Sequence, residues 1–488
     1  MHKPRVFLTK LAFILVAVFM GVATAQAATE FVSTIKQTGG EYSTLASWNA
    51  SNQCDLTTSQ VLSHSGVTGT IADGNYVKGA TSAAYGTAIH VTSTQIAIKG
   101  ITGTFANGER INKTTTLNGA PTGTDYVNVT SAPGSMISIA KIDGAWAVAD
   151  TGTVTIDGWT TSATNYIKIY TTTAARHQGA WDTNKYRLEV STSLDNYPLR
   201  FMEQYVRVDG LQIQVTASSS TGHMGISVEP SAGANEYQIS NNIIKGVFSG
   251  TASNCAGIVL PSYGFPGATV KIWNNIVYDF VRGADNVIYG INLSDCDGNM
   301  IYLYNNTVHN CRTGIGVGGG YGTKVLKNNL INGSTLQDYL DVTGCASANN
   351  ISEDATSLDA AYRNKAVTFV NEAGDDFHLA SGDTNAKNAG VNLTNDANLP
   401  FSTDIDGHNR SATEAWDIGG DQLIGSAAKL AFILQPSPTA TAGVAFTQQP
   451  KAAVQDANGN TIISDNSTQI TLSRGATGTD TLQGATLT

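Results

Sequence analysis

The chain of 488 residues holds only five cysteines, Cys54, Cys255, Cys296, Cys311 and Cys345. Their number is odd and no two are spaced as CxxC, which excludes a zinc ribbon and a dithiol redox motif. An export compartment leaves room for one or two disulfides, but most are expected to be small buried core residues. Charge is also scarce, at 14% of residues, and the basic sign is the scarcer, with 28 Lys and Arg against 38 Asp and Glu. The formal net charge of −10 argues against nucleic acid as a partner, because a phosphate backbone needs a basic surface. An anionic polysaccharide would be repelled overall and would need a local basic patch or a bridging cation. After the first 27 residues no run is long and apolar enough to span a bilayer.

Those first 27 residues read as a signal peptide. Lys3, Arg5 and Lys10 precede an apolar run from Leu11 to Val22, and Ala25-Gln26-Ala27 supplies small residues for cleavage. The expectation is an exported protein with no transmembrane span after cleavage.

What the chain does have is a repeated phrase, a short apolar strand broken by paired asparagines. It recurs as YQISNNIIKG (Asn241, Asn242), VKIWNNIVYD (Asn274, Asn275), IYLYNNTVHN (Asn305, Asn306) and KVLKNNLING (Asn328, Asn329), with a shorter form at Asn349-Asn350. Successive first asparagines step by 33, 31, 23 and 21 residues. A Gly-Ile phrase precedes the first four pairs, at Gly225-Ile226, Gly257-Ile258, Gly290-Ile291 and Gly314-Ile315. Two markers that keep step while the period varies place the variation in loops and the register in strands. Each period reads as three short strands, with no segment of helical length between them. One such unit cannot bury its apolar face, but stacked coils can, each strand pairing with its copy about 4.8 Å along the stack. Asn tolerates the left-handed conformation of a tight corner, and its amide can bond to the Asn above and below as a ladder.

This pattern, over residues 205–352, resembles the right-handed parallel β-helix proteins, the architecture of pectate-lyase-like folds and many surface proteins. Weaker matches extend it backwards: YVRVDGLQIQ, aligned with Asp209-Gly210 in place of Asn-Asn, VTIDGW (Asp157, Gly158), and TIADGNYVKG as an opening coil. The segment DDFHLASGDTNAKNAG (375–390), followed by TDIDGHNRSATEAWDIGGDQ (403–422), resembles the choice-of-anchor-type closing segment of secreted β-helix proteins. That resemblance implies a surface location. Residues 428–488, with Pro-bounded alternating strands and a hairpin at Asp456–Asn460, resemble a bacterial Ig-like domain of which only about half is present. Further Ig-like or anchoring modules are therefore expected beyond residue 488.

The fold expectation is all-β, a right-handed parallel β-helix followed by a partial Ig-like sandwich. Its parts are a leader (1–27), an N-terminal cap and first coil (28–80), a β-rich insertion with early coils (81–165), the β-helix (166–368), its closing segment (369–425) and the truncated Ig-like domain (426–488). Tyr42, Leu45 and Trp48 have helical spacing and predict a short helix capping the open end. Asn107-Gly108 predicts a hairpin within the insertion.

Candidate sites are few. The stretch 174–189 gathers Arg176, His177, Trp181, Asp182, Lys185, Tyr186 and Arg187. Aromatic faces stack on sugars and Arg clamps carboxylates, so Arg176, His177, Trp181, Lys185, Tyr186 and Arg187 form the candidate ligand set. A polysaccharide lyase needs a base beside a cation, and a glycosidase needs two carboxylates. Asp295 and Asp297, with His177 or Arg187, are the catalytic candidates, and His309 with Arg312 a further pair. Residues 338–421 are strongly acidic, and there Asp404, Asp406 and Asp417 are candidate oxygen ligands for Ca²⁺. With no enzyme motif to follow, the expected function is adhesion or binding of an extracellular polysaccharide or surface glycan. The alternatives are a polysaccharide lyase or hydrolase working in a groove on the coils, and a structural spacer.

Overall fold

In the computed structural model, the described residues are 27–469, without 132, 193–196, 219–220, 230–232, 251, 262–265, 282–286, 295, 319, 440, 442, 464 and 466–467. Residues 1–26, nearly all of the expected signal peptide, lie outside them, as does Asp295.

Three parallel sheets run along the stack. Sheet I includes Ile167–Thr171, Val206–Asp209, Asn235–Ser240, Ala268–Trp273, Met300–Tyr304, Thr323–Lys327 and Ala346–Ala348. Sheet II is seven-stranded, from Arg187–Thr192 to Ile351–Ser352, and sheet III is seven-stranded, from Val154–Ile156 to Gln337–Leu340. The chain visits I, II and III in turn and pairs each strand in parallel with its copy in the next coil. This is a parallel β-helix. Its core is made of aligned columns: Val208, Ile239, Ile272, Leu303 and Leu326 in sheet I, and Ile226, Ile258, Ile291 and Ile315 in sheet III. All have at most 1% exposure, and burying each such side chain contributes about 1.5–3 kcal/mol.

The paired asparagines divide the work at the corner between sheets I and II. The first Asn takes the left-handed conformation, with φ of 50–55° at 241, 274, 305, 328 and 349. The second turns inward. Asn242, Asn275, Asn306 and Asn329 each donate Nδ2 to the Oδ1 of the next one, the last to Asn350, at 2.8–3.0 Å. The weaker coil at Tyr205–Gln214 is shifted by one residue from the sequence alignment. Asp209 pairs with Ser240 and Gln212 with Ile243, so Gly210, φ +80°, takes the left-handed corner and Leu211 the inner row. Two other expected coils differ more. Val154–Ile156 belongs to sheet III, so Asp157-Gly158 is not an equivalent of Asn-Asn. Tyr76–Gly79 is antiparallel to its neighbours and is no coil at all.

It belongs to a separate barrel. Strands Gln60–Thr68, Gln95–Thr102, Tyr85–Val91, Tyr76–Gly79, Arg110–Thr114 and Pro121–Val129 pair antiparallel in that order, and the last pairs back with the first. The circuit is closed, which removes the edges that would invite pairing with other chains. Leu62, Val77, Ile96, Ile98, Phe105, Ile111 and Val127 fill it. The inserted module thus starts near residue 60 rather than 81. Asn107-Gly108 does not make a hairpin, because the strands on either side of it pair with other partners. Thr29–Ile35 and Gly134–Ile142, before and after the barrel, are both strands of sheet I.

The cap helix is α1 (Leu45–Asn52), started by Thr44, whose hydroxyl accepts from the Ser47 amide at 3.1 Å. It buries Leu45 and stacks Trp48 on Trp159.

After the last coil the chain turns back and runs along the outside. Tyr362 reaches Ala389 beside Asn349, Val391 lies on Asn328, Gly419 on Asn305 and Thr403 on Asn274. Phe369, Phe377, Leu379, Ile405 and Ile418 cover Ile243, Ile276, Leu330 and Ile351 of sheet II. The start of each sheet II strand from Ile243 onward is therefore covered on its outer side, which is why Ile243-Ile244, Ile276-Val277 and Leu330-Ile331 read apolar-apolar without alternation, whereas Gln212–Ala217 still alternates. At residues 429–455, Lys429–Leu434 and Lys451–Gln455 form an antiparallel pair. Among the described residues all five cysteines are free thiols, four of them buried.

Candidate functional site

The stretch 174–189 is absorbed by the protein itself. His177 is fully buried, its Nε2–H donating to Asn241 O at 2.9 Å while Nδ1 accepts from the Gly179 amide at 3.2 Å. Burial, and then the neighbouring Arg176 charge, hold its pKa down at about 4, so it is neutral and satisfied. Arg176 pairs with Asp209 at 2.7 Å. Arg187 is 6% exposed and binds Glu189 and the carbonyls of Thr183, Lys185 and Trp146. Tyr186 is buried with its hydroxyl on Asp150, and Lys185 reaches the carbonyls of Thr173 and Ala174. Trp181 is half-buried under Lys245. The charges that suggested a ligand clamp are spent on fixing the loop against the first coils.

Among the described residues the catalytic candidates do not converge. Asp297 is exposed at the corner between sheets III and I, 3.9 Å from Lys324 Nζ, whereas His177 lies at the corner between I and II. His309 is covered by Phe369 and Phe377 of the closing segment and touches Asn332. It therefore fills a packed layer rather than a cleft.

Two other places do gather chemistry. The first is a hollow of about 380 Å³ on the outer face of sheet I. Strand alternation and register place Lys168, Arg207, Gln238, Lys271 and Tyr302 in one outward row across five coils. The Arg207 guanidinium lies 3.6 Å over the Tyr166 ring, and Lys168 Nζ lies 4.9 Å over Tyr170. Glu236 is shared between Lys271 at 2.6 Å and Arg207 at 3.7 Å, so the row keeps a net positive charge. Trp273 and Phe401 form one wall, continued by Ser402 and Thr403 of the closing segment.

The second is a cluster under the closing segment. His378, Asp406 and Asp421 have donor atoms within 4.8 Å of one another, and so have Asp404, Asp406 and His408. Asp404 and Asp421 are 1% and 5% exposed. His378 lies between two carboxylates, Nδ1 2.5 Å from Asp376 and Nε2 2.9 Å from Asp406. Burial opposes its charge, but those carboxylates outweigh it and push its pKa up to about 10. Asp421 moves the other way for a carboxylate, up to about 7, through burial and the nearby Asp404 charge. Asp417, expected beside Asp404 and Asp406, is elsewhere. Its carboxylate accepts from the amides of Asn388 and Leu423, and it helps to hold a loop that is also tied by Arg410.

Sequence reasoning missed the outward row because its members lie about 31–39 residues apart and differ in type. The usable signal was their fixed distance before each corner. It missed His378, His408 and Asp421 because nothing local shows that the chain folds back.

No protein-family model matches the chain, and no curated protein sequence matches it. Among solved structures it is similar to the crystal structure of pectate lyase Pel9A, at 12% identity and a TM-score of 0.28, over 58% of this chain and 87% of that one. A likeness at that level carries no argument about chemistry. What stands is the architecture of the chain's own strands: an all-β parallel β-helix.

Proposed function

We propose that the chain is a secreted or surface β-helix protein that binds an acidic polysaccharide along the outer face of sheet I. The observation that carries this is the pair Lys168 and Arg207, set beside Trp273 and Phe401 in one hollow, with Lys271 further along the same outward row. It supplies the local basic patch that an overall acidic protein needs to attract a polyanion. Ammonium and guanidinium groups one coil apart at Lys168 and Arg207, and two coils apart at Arg207 and Lys271, suit repeated carboxylates or sulfates, and the aromatic wall suits sugar faces. In this reading the closing segment belongs to the surface-anchoring type and residues 426–488 belong to an Ig-like module.

The test is retention of the purified protein on immobilised acidic and neutral polysaccharides over a salt series. Retention on an acidic polymer that salt and Arg207→Ala both weaken is the expected result. Equal retention of the variant, or none by the native protein, would remove the reading. Release of an unsaturated sugar product, detected by its ultraviolet absorbance, would replace binding with lyase activity.

A further inference from the structure

We propose that His378, Asp406 and Asp421 bind one divalent transition-metal ion of the zinc class, which staples three separate parts of the closing segment together. The three residues come from different parts of that segment: His378 from the strand Asp376–Leu379, Asp406 from the turn 404–408, and Asp421 from the loop after Arg410. Their donor atoms all lie within 4.8 Å. The His378 Nε2 to Asp406 Oδ2 separation of 2.9 Å is near the edge of about 3.3 Å expected for ligands around zinc.

Asp406 supplies the independent sign of a ligand. Its side chain is 4% exposed, and its Oδ1 is buried without a hydrogen-bond partner. An orphaned buried carboxylate oxygen is costly unless something cationic meets it. It faces the same space as His378 Nε2. A Cβ built on Gly179 would stand 2.4 Å from that oxygen and 2.3 Å from that nitrogen, and Gly179, φ +72°, puts no side chain there. The surrounding groups orient the ligands. Asp376 Oδ1 on His378 Nδ1 leaves Nε2 as the ligating nitrogen, the carboxylate–histidine–metal arrangement. Leu379 N holds Asp421 at 2.8 Å, and Asp404 Oδ1 holds the amides of Asp406 and His408. An imidazole donor selects zinc-like ions over Ca²⁺, which prefers all-oxygen sites. The ion proposed here thus differs from the Ca²⁺ suggested by the aspartates alone.

The experiment uses the full chain, stripped with a chelator and titrated with Zn²⁺, Co²⁺ or Ca²⁺. Expected are one equivalent of bound zinc, a Co²⁺ visible spectrum, and a rise in melting temperature with Zn²⁺ but not with Ca²⁺. Asp406→Asn should weaken zinc binding about 100-fold and Asp376→Asn about 10-fold, while Asp297→Asn leaves it unchanged. If Asp406→Asn fails to fold, the Asp376→Asn affinity carries the test. No stoichiometric zinc, undiminished binding by the variants, or a calcium effect equal to that of zinc would overturn the proposal.

Discussion

Asn350 Nδ2 donates to Asp359 Oδ2 at 2.9 Å, and this bond closes the inner asparagine ladder at its last coil. The Asn350 amide and the Ser347 hydroxyl use the same carboxylate oxygen. Every ladder member thus has an acceptor ahead of it. Asp359→Ala should destabilise the protein by about 1–3 kcal/mol, the cost of leaving buried donors unpaired. Asn306→Ala should cost more. It would take the shared Oδ1 acceptor from the Asn275 amide and side chain and remove the side-chain donor to Ile272 O and Tyr304 O. Denaturant unfolding of both variants checks the order.

The glycine column in sheet III makes a steric prediction. A Cβ at Gly290 would stand 2.4 Å from Val308 Cγ1 and 2.8 Å from Gly314 O, a backbone atom that cannot step aside. Gly290→Ala should therefore cost about 1–3 kcal/mol, as overpacking does. Gly382→Ala is the control, since nothing lies within 4 Å of its added methyl. Equal melting temperatures for the two variants would contradict this account.

His90 ties the barrel to the first coil, 2.6 Å from Asp73 and 3.2 Å from Glu41, the second contact being an ion pair not aligned as a hydrogen bond. Burial opposes its charge, yet the two carboxylates raise its pKa to about 9. A raised pKa means that the folded protein holds the proton more tightly than the unfolded chain. The stabilisation is complete below pH of about 6.5 and is lost as pH rises through about 9. The stability gap between native protein and His90→Gln should narrow across that window, read by thermal unfolding at several pH values.

Arg187→Ala separates the two readings of the stretch 174–189. Its guanidinium holds three backbone carbonyls and Glu189. The substitution should cost about 1–3 kcal/mol of stability and leave polysaccharide retention intact once folded protein is compared. Arg207→Ala should do the reverse, weakening retention roughly ten-fold, the value of one charged contact, with little change in melting. Loss of retention with Arg187→Ala alone would return the ligand site to that loop.

Much of the fold was legible because the markers are local. The Asn-Asn corner needs a residue that accepts positive φ, and the Gly-Ile phrase needs a position without a side chain, so both print directly into the sequence. The coil at Asp209 was misread by one residue because Gly210 serves a corner as well as Asn does. Tyr76–Gly79 imitated a coil because an antiparallel barrel strand and a parallel coil strand share the same alternation.

The sequence by itself determined the stack: its strands, its corners, its buried columns and the helix that closes its end. Periodicity encodes these, since each strand meets only its own copy one coil away. Only the tertiary structure decided the sites. The return of residues 360–423 along the outside brought His378 to Asp406 and Asp421, and put Phe401 against Trp273. That return also covered His309. Contacts made by a segment that folds back, 28 to 128 residues apart, follow no period, so no local pattern announces which charges they will bury and which they will leave facing a groove.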